Sequence, residues 1–372
     1  MIKGIKKLPI ILTNTEALEI YKKLADVNKK IGKLDTTIEK SLVNKSILSL
    51  LTLNEATQST RIEGTQVTFY EIIENKTKKD KTWQEIEVLN YQKAIYYGLE
   101  QIKKGEVIST RLIKKLHSIL MEKARGTTSN KGEFRKIQNF IGADKKIENA
   151  VYIPVSAEKI NEYMTNLEFF INGQYHKDFQ ITPKQNETVL DHQIDPLLRI
   201  AIMHAQFESV HPFLDGNGRI GRILIALMSI KENIITTPLF FVSEELEKER
   251  IRYYNALNET RGQKANWTTW LSFFLTASER MADKIIKKIQ KAETLAITGL
   301  KECKTNAQKE IWLATFKNPI ATVTEISKIT NYHNQTIKKA MDYLTNKNLL
   351  DKDKTKKRNI KYYNYDIIRI IS

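Results

Sequence analysis

Cysteine is almost absent from this chain: Cys303 is the single one in 372 residues. An intrachain disulfide and a cysteine-based metal cluster are therefore excluded, and a reducing compartment is expected. The chain also lacks a run of about 18 apolar residues, which excludes a membrane-spanning helix. Its first stretch, "MIKGIKKLPIILTNTEALEI", has neither the long apolar segment nor the small-residue cleavage site of a signal peptide. We therefore expect a cytoplasmic protein with no membrane segment.

Glycine and proline are sparse, at 14 and 7 residues, and apolar residues recur at spacings of three and four. Because this is the spacing of amphipathic helices, the expected fold class is all-α. One predicted helix contains Ile38, Leu42, Ile47, Leu50, Leu51 and Leu53 and ends at Gly64. Further helices are predicted over 83–103, 109–123, 159–172, 196–209, 218–232, 243–260 and 267–291, and a small β-hairpin within 131–154. At about 150 residues per domain, the length suggests two or three domains, which we place at 1–105, 106–292 and 300–372.

Acidic residues are outnumbered, and the net charge is +17. A lysine-rich genome bias would account for this, and so would a polyanionic partner such as a nucleotide or a nucleic acid. The excess is concentrated at the end of the chain, where 15 Lys and Arg residues face 7 Asp and Glu residues from Lys301 onward. This distribution favours a polyanion-binding C-terminal unit.

A phosphate-binding P-loop is missing, because no G-x-x-x-x-G-K-[ST] pattern occurs. The stretch "HPFLDGNGRIGR" nevertheless places a glycine-flanked turn at the start of an apolar helix. Backbone N–H groups around Gly216, Asn217 and Gly218 can converge on an anion there, and the helix dipole adds to the attraction. Arg219 and Arg222 are three residues apart, hence on one helical face, and both can fork onto phosphate oxygens. The turn therefore predicts a nucleotide phosphate site.

The same stretch carries an acid and a base. Asp215 is a hard oxygen ligand suited to Mg²⁺, which would take its other ligands from water and phosphates. His211 stands just before the turn, and a neutral imidazole there can accept a hydroxyl proton. The natural reaction is attack of a hydroxyl on a phosphate. The plainer alternative is a helix that begins at a glycine turn and carries surface arginines.

These residues match H-x-F-x-[DE]-G-N-G-R-x-x-R, and the chain resembles the Fic (fido) family over about 109–277. The resemblance implies a helical core that transfers AMP from ATP to a Ser, Thr or Tyr hydroxyl of a target protein and releases pyrophosphate. It implies His211 as the base and Asp215 as the Mg²⁺ ligand. The nucleotide-binding positions that it implies are Gly216, Asn217, Gly218, Arg219, Ile220, Gly221 and Arg222.

Two further elements of the family have counterparts here. "IENAVYIP", with Val151 and Tyr152, resembles the hairpin flap on which the target chain is registered by strand addition. In "RYYNAL", Tyr253 and Tyr254 resemble the pair that contacts adenine, although an aromatic pair on a helix also suits a core. Eight positions after Tyr253, where the family has a polar residue, this chain has the charged Arg261. This residue type departs from the family's adenine-binding pattern.

The stretch "STRIEG" resembles the inhibitory pattern [ST]-x-x-x-E-[GN] of one class in this family. Ser59 and Glu63 are four residues apart and share a helical face, and Gly64 follows. The resemblance implies that Glu63 pairs with Arg222 and prevents productive placement of the γ-phosphate. The alternative is that Glu63 is only an exposed helix end.

The C-terminal stretch predicts three helices followed by a basic hairpin, the pattern of a winged helix-turn-helix domain. The predicted DNA-facing residues are Asn334, Gln335, Lys338 and Lys339 for the groove, and Lys354, Lys356, Lys357 and Arg358 for the backbone. Such modules also bind proteins, so both partners are left open.

Together these features predict an autoinhibited protein adenylyltransferase that uses ATP and Mg²⁺ and acts on a hydroxyl-bearing target protein. One alternative is removal of AMP, with Glu63 aligning a water. Another is a DNA-binding regulator whose Fic core senses a nucleotide, and formation of a homodimer is left open.

Overall fold

The computed structural model describes residues 1–124, 130–142 and 146–372. Within them the helices are α1 (Asn14–Lys40), α2 (Asn44–Ile62), α3 (Phe69–Glu74), α4 (Trp83–Lys103), α5 (Thr110–Leu120), α6 (Ile160–Ile171), α7 (Pro196–Val210), α8 (Asn217–Lys231), α9 (Ser243–Lys248), α10 (Arg250–Glu259), α11 (Trp267–Glu302), α12 (Asn306–Ala314), α13 (Val323–Ser327), α14 (Asn334–Asn346) and α15 (Tyr365–Ile371). The strands are β1 (Ile2–Lys3), β2 (Ile10–Thr13), β3 (Ile141–Gly142), β4 (Ala150–Ile153), β5 (Glu187–Leu190), β6 (Ile320–Thr322), β7 (Asp351–Lys352) and β8 (Lys361–Tyr363).

The chain is mainly helical, as the apolar spacing predicts, but the expected all-α class is incomplete. Three small sheets are present in the described residues, with strand orders β1-β4-β3, β2-β5 and β6-β8-β7. The antiparallel pair β2-β5 was not predicted, because it joins Ile10–Thr13 to a segment about 175 residues later. Its local signal is the alternation of buried Ile10 and Leu12 with exposed Ile11.

The predicted helix through Ile38 and Leu53 is two helices. α1 ends at Lys40 because Ser41 is extended, with ψ at 133°, and α2 begins at Asn44. Leu42 is in the break and is exposed, so it does not belong to the apolar face. The predicted end is confirmed: α2 stops at Ile62, and Gly64 takes the left-handed φ of +96° that a helix end uses.

The centre of the molecule is the antiparallel pair α7 and α8. Residues 197–210 of α7 are all buried, and α8 is buried from Asn217 to Ser229 except at Gly218. α1 packs along α11, while α2 and α4 pack on each other and α4 packs on α8. Within the described residues no helix is long and apolar enough to cross a membrane.

The C-terminal unit, residues 300–372, packs back on the rest of the chain. Trp312 donates from its indole Nε1 to the carbonyl of Ala296 on α11 (3.0 Å), and α15 lies against α11. Lys361 donates to the Glu74 carboxylate at the end of α3 (2.7 Å). A cavity of about 280 Å³ remains between α2, α3, α4 and residues 317–320.

Candidate active site

His211 directly follows α7 and has a left-handed backbone, with φ at 49° and ψ at 60°. Its ring Nδ1 donates to the carbonyl of Glu208 (3.2 Å), which leaves Nε2 with the free lone pair. Burial lowers the pKa of His211 to about 4; the charges of Arg261 and Arg135 act in the same direction, against the hydrogen bond to Glu208. The imidazole is therefore neutral near pH 7 and can accept a proton at Nε2.

Asn217 holds the turn between the two central helices, residues 211–216, which we call the motif loop. Its Oδ1 accepts from the backbone N–H of Phe213, and its Nδ2 donates to the carbonyl of Phe213, both at 2.8 Å. Gly216 has a φ of +79°, which favours glycine. The side chain of Asn217 thus shapes the loop, and the backbone N–H groups at the start of α8 are what the loop offers to an anion.

His117 also supports the motif loop and was not singled out from the sequence. Its ring stacks on Phe213 at 3.8 Å, its Nε2 donates to the carbonyl of Asp215 (3.0 Å), and its Nδ1 accepts from Gly132 (2.8 Å). Burial lowers its pKa to about 4, so the ring stays neutral. No local motif marks His117, since its partners are distant in the sequence.

Arg219 is a buried cation with unused donors. Its Nη2 lies 3.2 Å from Asp215, and its Nη1 lies 3.6 Å from Glu87. Nε and Nη1 make no hydrogen bond within the described part of the chain. Because unpaired buried donors are costly, this guanidinium is suited to an incoming anion.

Arg222 is 1% exposed and is bound by the end of α2. Its Nε donates to Ser59 Oγ (2.8 Å), and its Nη2 donates to the Ser59 carbonyl (3.0 Å) and to Glu63 Oε1 (2.6 Å). Burial acts to raise the pKa of Glu63, but the charge and hydrogen bond of Arg222 outweigh it and lower that pKa. The structure therefore brings together Ser59, Glu63 and Arg222, with an ionised carboxylate on the second arginine of the motif.

The Glu63 carboxylate also lies against the start of α8. A side-chain carbon at Gly218 would collide with Glu63 Oε1. The carboxylate thus lies beside Gly218 in the first turn of α8. Gly64 is next to it, and a side-chain carbon added there would meet no atom within 4 Å.

Gly221 and Ile220 serve the packing of α8. A side-chain carbon at Gly221 would come within 2.6 Å of Glu208 Oε1 and 3.1 Å of the His204 ring, and Ile220 is fully buried. Glu208 was also missed from the sequence. Its Oε1 has no hydrogen-bond partner among the described residues, and burial raises its pKa to about 7.

The two tyrosines of "RYYNAL" have different environments. Tyr253 is fully buried, and its hydroxyl lies 2.8 Å from His204 Nε2. Tyr254 is 38% exposed, with the Arg250 guanidinium 5.8 Å from its ring. Only Tyr254 of this pair reaches the surface in this conformation. Arg261 is buried, with its guanidinium 4.1 Å from the Tyr152 ring.

Antiparallel β3 and β4 form a hairpin in the stretch that resembles the flap, and residues 143–145 lie outside the described residues. Val151 is exposed, while Tyr152 is buried and donates from its hydroxyl to the carbonyl of Ser209 (2.7 Å). The β1 strand at Ile2–Lys3 pairs with β4 in parallel on the other side. That third strand was not predicted, since pairing between segments 150 residues apart has no local signal.

Asp215 is the acidic residue of the motif loop. Its Oδ1 accepts from the N–H of Gly216 (2.5 Å) and lies near Arg219, and its side chain is 56% exposed. The described residues contain no group of three or more His, Cys, Asp or Glu side chains that could hold a metal. A single accessible carboxylate fits Mg²⁺ only where phosphate oxygens complete the coordination.

Comparison with known proteins shows which family the sequence resembles. The Fic/DOC family model matches residues 107–229, and the Fic/DOC family N-terminal model matches residues 21–100. A probable protein adenylyltransferase of Aquifex aeolicus (strain VF5) is 24% identical over 217 residues, covering 58% of this chain and 57% of that protein. Protein adenylyltransferase fic-1 of Caenorhabditis elegans is 29% identical over 127 residues, covering 34% of this chain and 19% of that protein. The chain thus spans little more than half of the first relative and under a fifth of the second.

Solved structures share the fold at low identity. A Fic family protein from Desulfovibrio desulfuricans G20 has a TM-score of 0.56 and 16% identity, covering 93% of this chain and 95% of that chain. A Fic domain-containing signalling protein from Bacteroides thetaiotaomicron VPI-5482 has a TM-score of 0.53 and 15% identity, covering 71% of this chain and 97% of that chain. The two family models together cover more than half of the sequence, and the chain belongs to the Fic/DOC family.

Proposed function

We propose that this protein is an autoinhibited adenylyltransferase that transfers AMP from ATP to a Ser, Thr or Tyr hydroxyl of a target protein. The observation that carries the proposal is the position of a neutral histidine beside an anion-binding helix start. His211 Nε2 keeps its lone pair, and Arg219, in the first turn of α8, has Nε and Nη1 without a hydrogen-bond partner among the described residues. The relatives named protein adenylyltransferase support the same activity at the level of the family.

In the proposed reaction, the target hydroxyl oxygen attacks the α-phosphorus of ATP. His211 Nε2 takes the hydroxyl proton, a P–O bond forms, and the bond to the β-phosphate breaks to release pyrophosphate. The N–H groups at Gly216–Gly218 and the Arg219 guanidinium bind the phosphate oxygens. Asp215 would hold Mg²⁺, which neutralises phosphate charge.

Glu63 is proposed as the inhibitory residue. Its carboxylate binds Arg222 at 2.6 Å and lies above Gly218, so both a cation and the space needed by the outer phosphates are taken. ATP bound beside Glu63 is misplaced for in-line attack, and a displacement of about 1 Å costs on the order of 10² in rate. In this proposal residues 1–105 carry the inhibitory helix and residues 106–292 form the catalytic core. Residues 300–372 bind a separate partner.

Labelling with α-labelled ATP tests this function. Glu63→Gly should raise self-labelling by on the order of 10², and His211→Ala in that background should abolish it while ATP still binds. Arg222→Ala should be inactive with or without Glu63→Gly, because it removes the inhibitory contact and the phosphate ligand together. Equal labelling by the parent and Glu63→Gly, with the fold intact, would refute the inhibitory role. Loss of AMP from a labelled target by the parent, and not by Glu63→Gly, would favour AMP removal instead.

A second function is proposed for the C-terminal unit: binding of duplex DNA by a winged helix. The supporting observation is that Lys338 on α14 and Lys357 in the β7–β8 loop line one shallow groove with Thr322 and Asn359. The eight residues predicted from the sequence to meet DNA are all exposed. Two separate elements thus offer cations to one surface, as a bound phosphate backbone requires.

A further inference from the structure

Arg135, between α5 and β3, is a buried arginine that joins the base to the flap. It is 3% exposed. Its Nε donates to the carbonyl of His211 (2.9 Å), and its Nη1 donates to the carbonyl of Ile137, just before β3 (3.0 Å). Its Nη2 donates to the carbonyl of Val155, just after β4. One guanidinium therefore binds the backbone of the base and both ends of the flap hairpin.

The backbone of Arg135 adds to the same connection. Its N–H donates to the carbonyl of Pro212 (2.9 Å), and its Nη2 also lies 3.5 Å from the carbonyl of Val210. The last carbonyls of a helix have no partner within the helix and must find one elsewhere. At the end of α7, Arg135 supplies partners for Val210 and His211, and the flap residue Tyr152 supplies one for Ser209.

The chemistry of arginine explains why this residue type is needed. A planar guanidinium with five N–H donors can serve several carbonyls at fixed angles, whereas a lysine ammonium cannot span them. Because the site is buried, loss of the guanidinium leaves carbonyls without donors and releases the left-handed backbone of His211.

We propose that Arg135 is a positioning residue that holds the end of α7 and the flap as one unit, so that a target segment bound on the flap meets His211 Nε2 at a fixed distance. The proposal rests on the proposed AMP transfer and adds how the hydroxyl is brought into register. Arg135 acts through the backbone of His211 and through the backbone of Ile137 and Val155, which flank the hairpin.

Kinetics in the Glu63→Gly background test the proposal. Arg135→Lys and Arg135→Gln should each lower kcat by on the order of 10² while the KM for ATP changes by less than about threefold, because the phosphate site is untouched. The matched control is Arg111→Gln on α5, whose side chain is 86% exposed and pairs with Glu106; it should leave both constants unchanged. A kcat within about threefold of the background for both folded Arg135 variants would overturn the proposal.

The pH profile separates positioning from general loss of stability. The charged groups facing His211 are Arg135, Arg261 and Glu63, with the Glu208 carboxyl on its own helix. Arg135→Gln removes a cation beside the imidazole, so the acid limb of kcat should move to higher pH. Arg135→Lys keeps the cation and should leave that limb in place although kcat falls.

Two readouts keep the result independent of the proposed function. If Glu63→Gly itself transfers no AMP, the transfer proposal fails, and the His211 imidazole is titrated by NMR in Arg135→Gln. A rise in the pKa of His211 then supports the contact, and an unchanged value overturns it.

If the Arg135 variants do not fold, Tyr152→Phe removes a single hydroxyl bond to the same helix end and should lower kcat without raising the KM for ATP. An unchanged kcat in Tyr152→Phe would overturn the proposal.

Discussion

At the scale of single residues, the site is surrounded by buried ionisable groups whose pKa values are moved in opposite directions. Burial lowers the pKa of His211 and of His117 to about 4, and raises the pKa of Glu208 and of Glu55 to about 7. At pH 7 the two imidazoles are therefore neutral, whereas each of the two carboxyl groups is about half ionised. Arg222 and Arg219 are paired with Glu63 and Asp215, so an incoming phosphate would compete with these carboxylates for the two guanidinium groups.

Glu208→Gln tests the raised pKa through stability. The unfolded carboxyl ionises near its ordinary value and the folded one near pH 7, so the stabilising effect of Glu208 is complete at low pH and is lost as pH rises through 7. Relative to the parent, Glu208→Gln should gain on the order of 2–3 kcal/mol between pH 5 and pH 8. Urea unfolding at both pH values measures this. The exposed Glu39→Gln is the control, and a difference that does not depend on pH would contradict the raised value.

Whether a residue of the site could be predicted from the sequence depends on how far away in the chain its partners lie. The residues of "HPFLDGNGRIGR" could be predicted because the motif is contiguous and carries its own chemistry. Arg135 and His117 could not, since their partners are 76 and 98 residues away and no pattern in "KGEFRK" distinguishes this arginine from a surface cation. Tyr253, one of the two tyrosines that resemble the adenine-contacting pair, is buried against His204, the environment expected of the alternative core role.

At the scale of secondary structure elements, the period of apolar residues predicts most helices, because burial on one face selects that spacing. It cannot predict where a helix breaks when the period continues beyond the break, as between α1 and α2. It also misses β2 with β5 and β1 with β4, since a strand of four residues or fewer is defined by its distant partner. The pairings of β1 and β2 are therefore seen only in the structure.

Gly221→Ala tests the close approach of α7 and α8. The added methyl would lie 2.6 Å from Glu208 Oε1, so either the helices separate or Glu208 moves. We expect a loss of about 1–3 kcal/mol in the free energy of unfolding, the usual cost of overpacking. Gly32→Ala on α1 is the matched control, because nothing lies within 4 Å of its added carbon. It should stabilise the protein by about 0.5–1 kcal/mol; equal effects of the two changes would contradict the packing argument.

At the scale of the whole molecule, the C-terminal unit is packed against the rest rather than tethered to it. Gly299 on α11 lies against the Trp312 ring, and Lys288 on α11 donates to the carbonyl of Ile371 (2.7 Å). Deletion of residues 300–372 would therefore expose the buried face of α11. Charge changes on the exposed β7–β8 loop are the cleaner way to separate DNA binding from AMP transfer.

Lys356→Gln with Lys357→Gln tests DNA binding. If these lysines contact phosphates, affinity for duplex DNA should fall, and the slope of log K against log salt should lessen by about 2. Fluorescence anisotropy measures the affinity and the slope. The salt concentration is varied from about 50 to about 200 mM, the range in which binding to phosphates weakens. Lys33→Gln with Lys40→Gln, at two exposed positions of α1, is the charge-matched control. Unchanged affinity in the loop variant, or none at low salt, would direct the search to a protein partner.

The cavity between α2, α3, α4 and residues 317–320 joins the N-terminal helices to the C-terminal unit. It measures about 280 Å³ and is open to solvent, since the exposed side chains of Lys76 and Lys317 are part of its lining. Leu50 and Leu53 of α2 also line it, and the same helix ends at Ile62, directly before Glu63. A ligand that filled this space would therefore contact the C-terminal unit and the helix that leads to Glu63 at the same time.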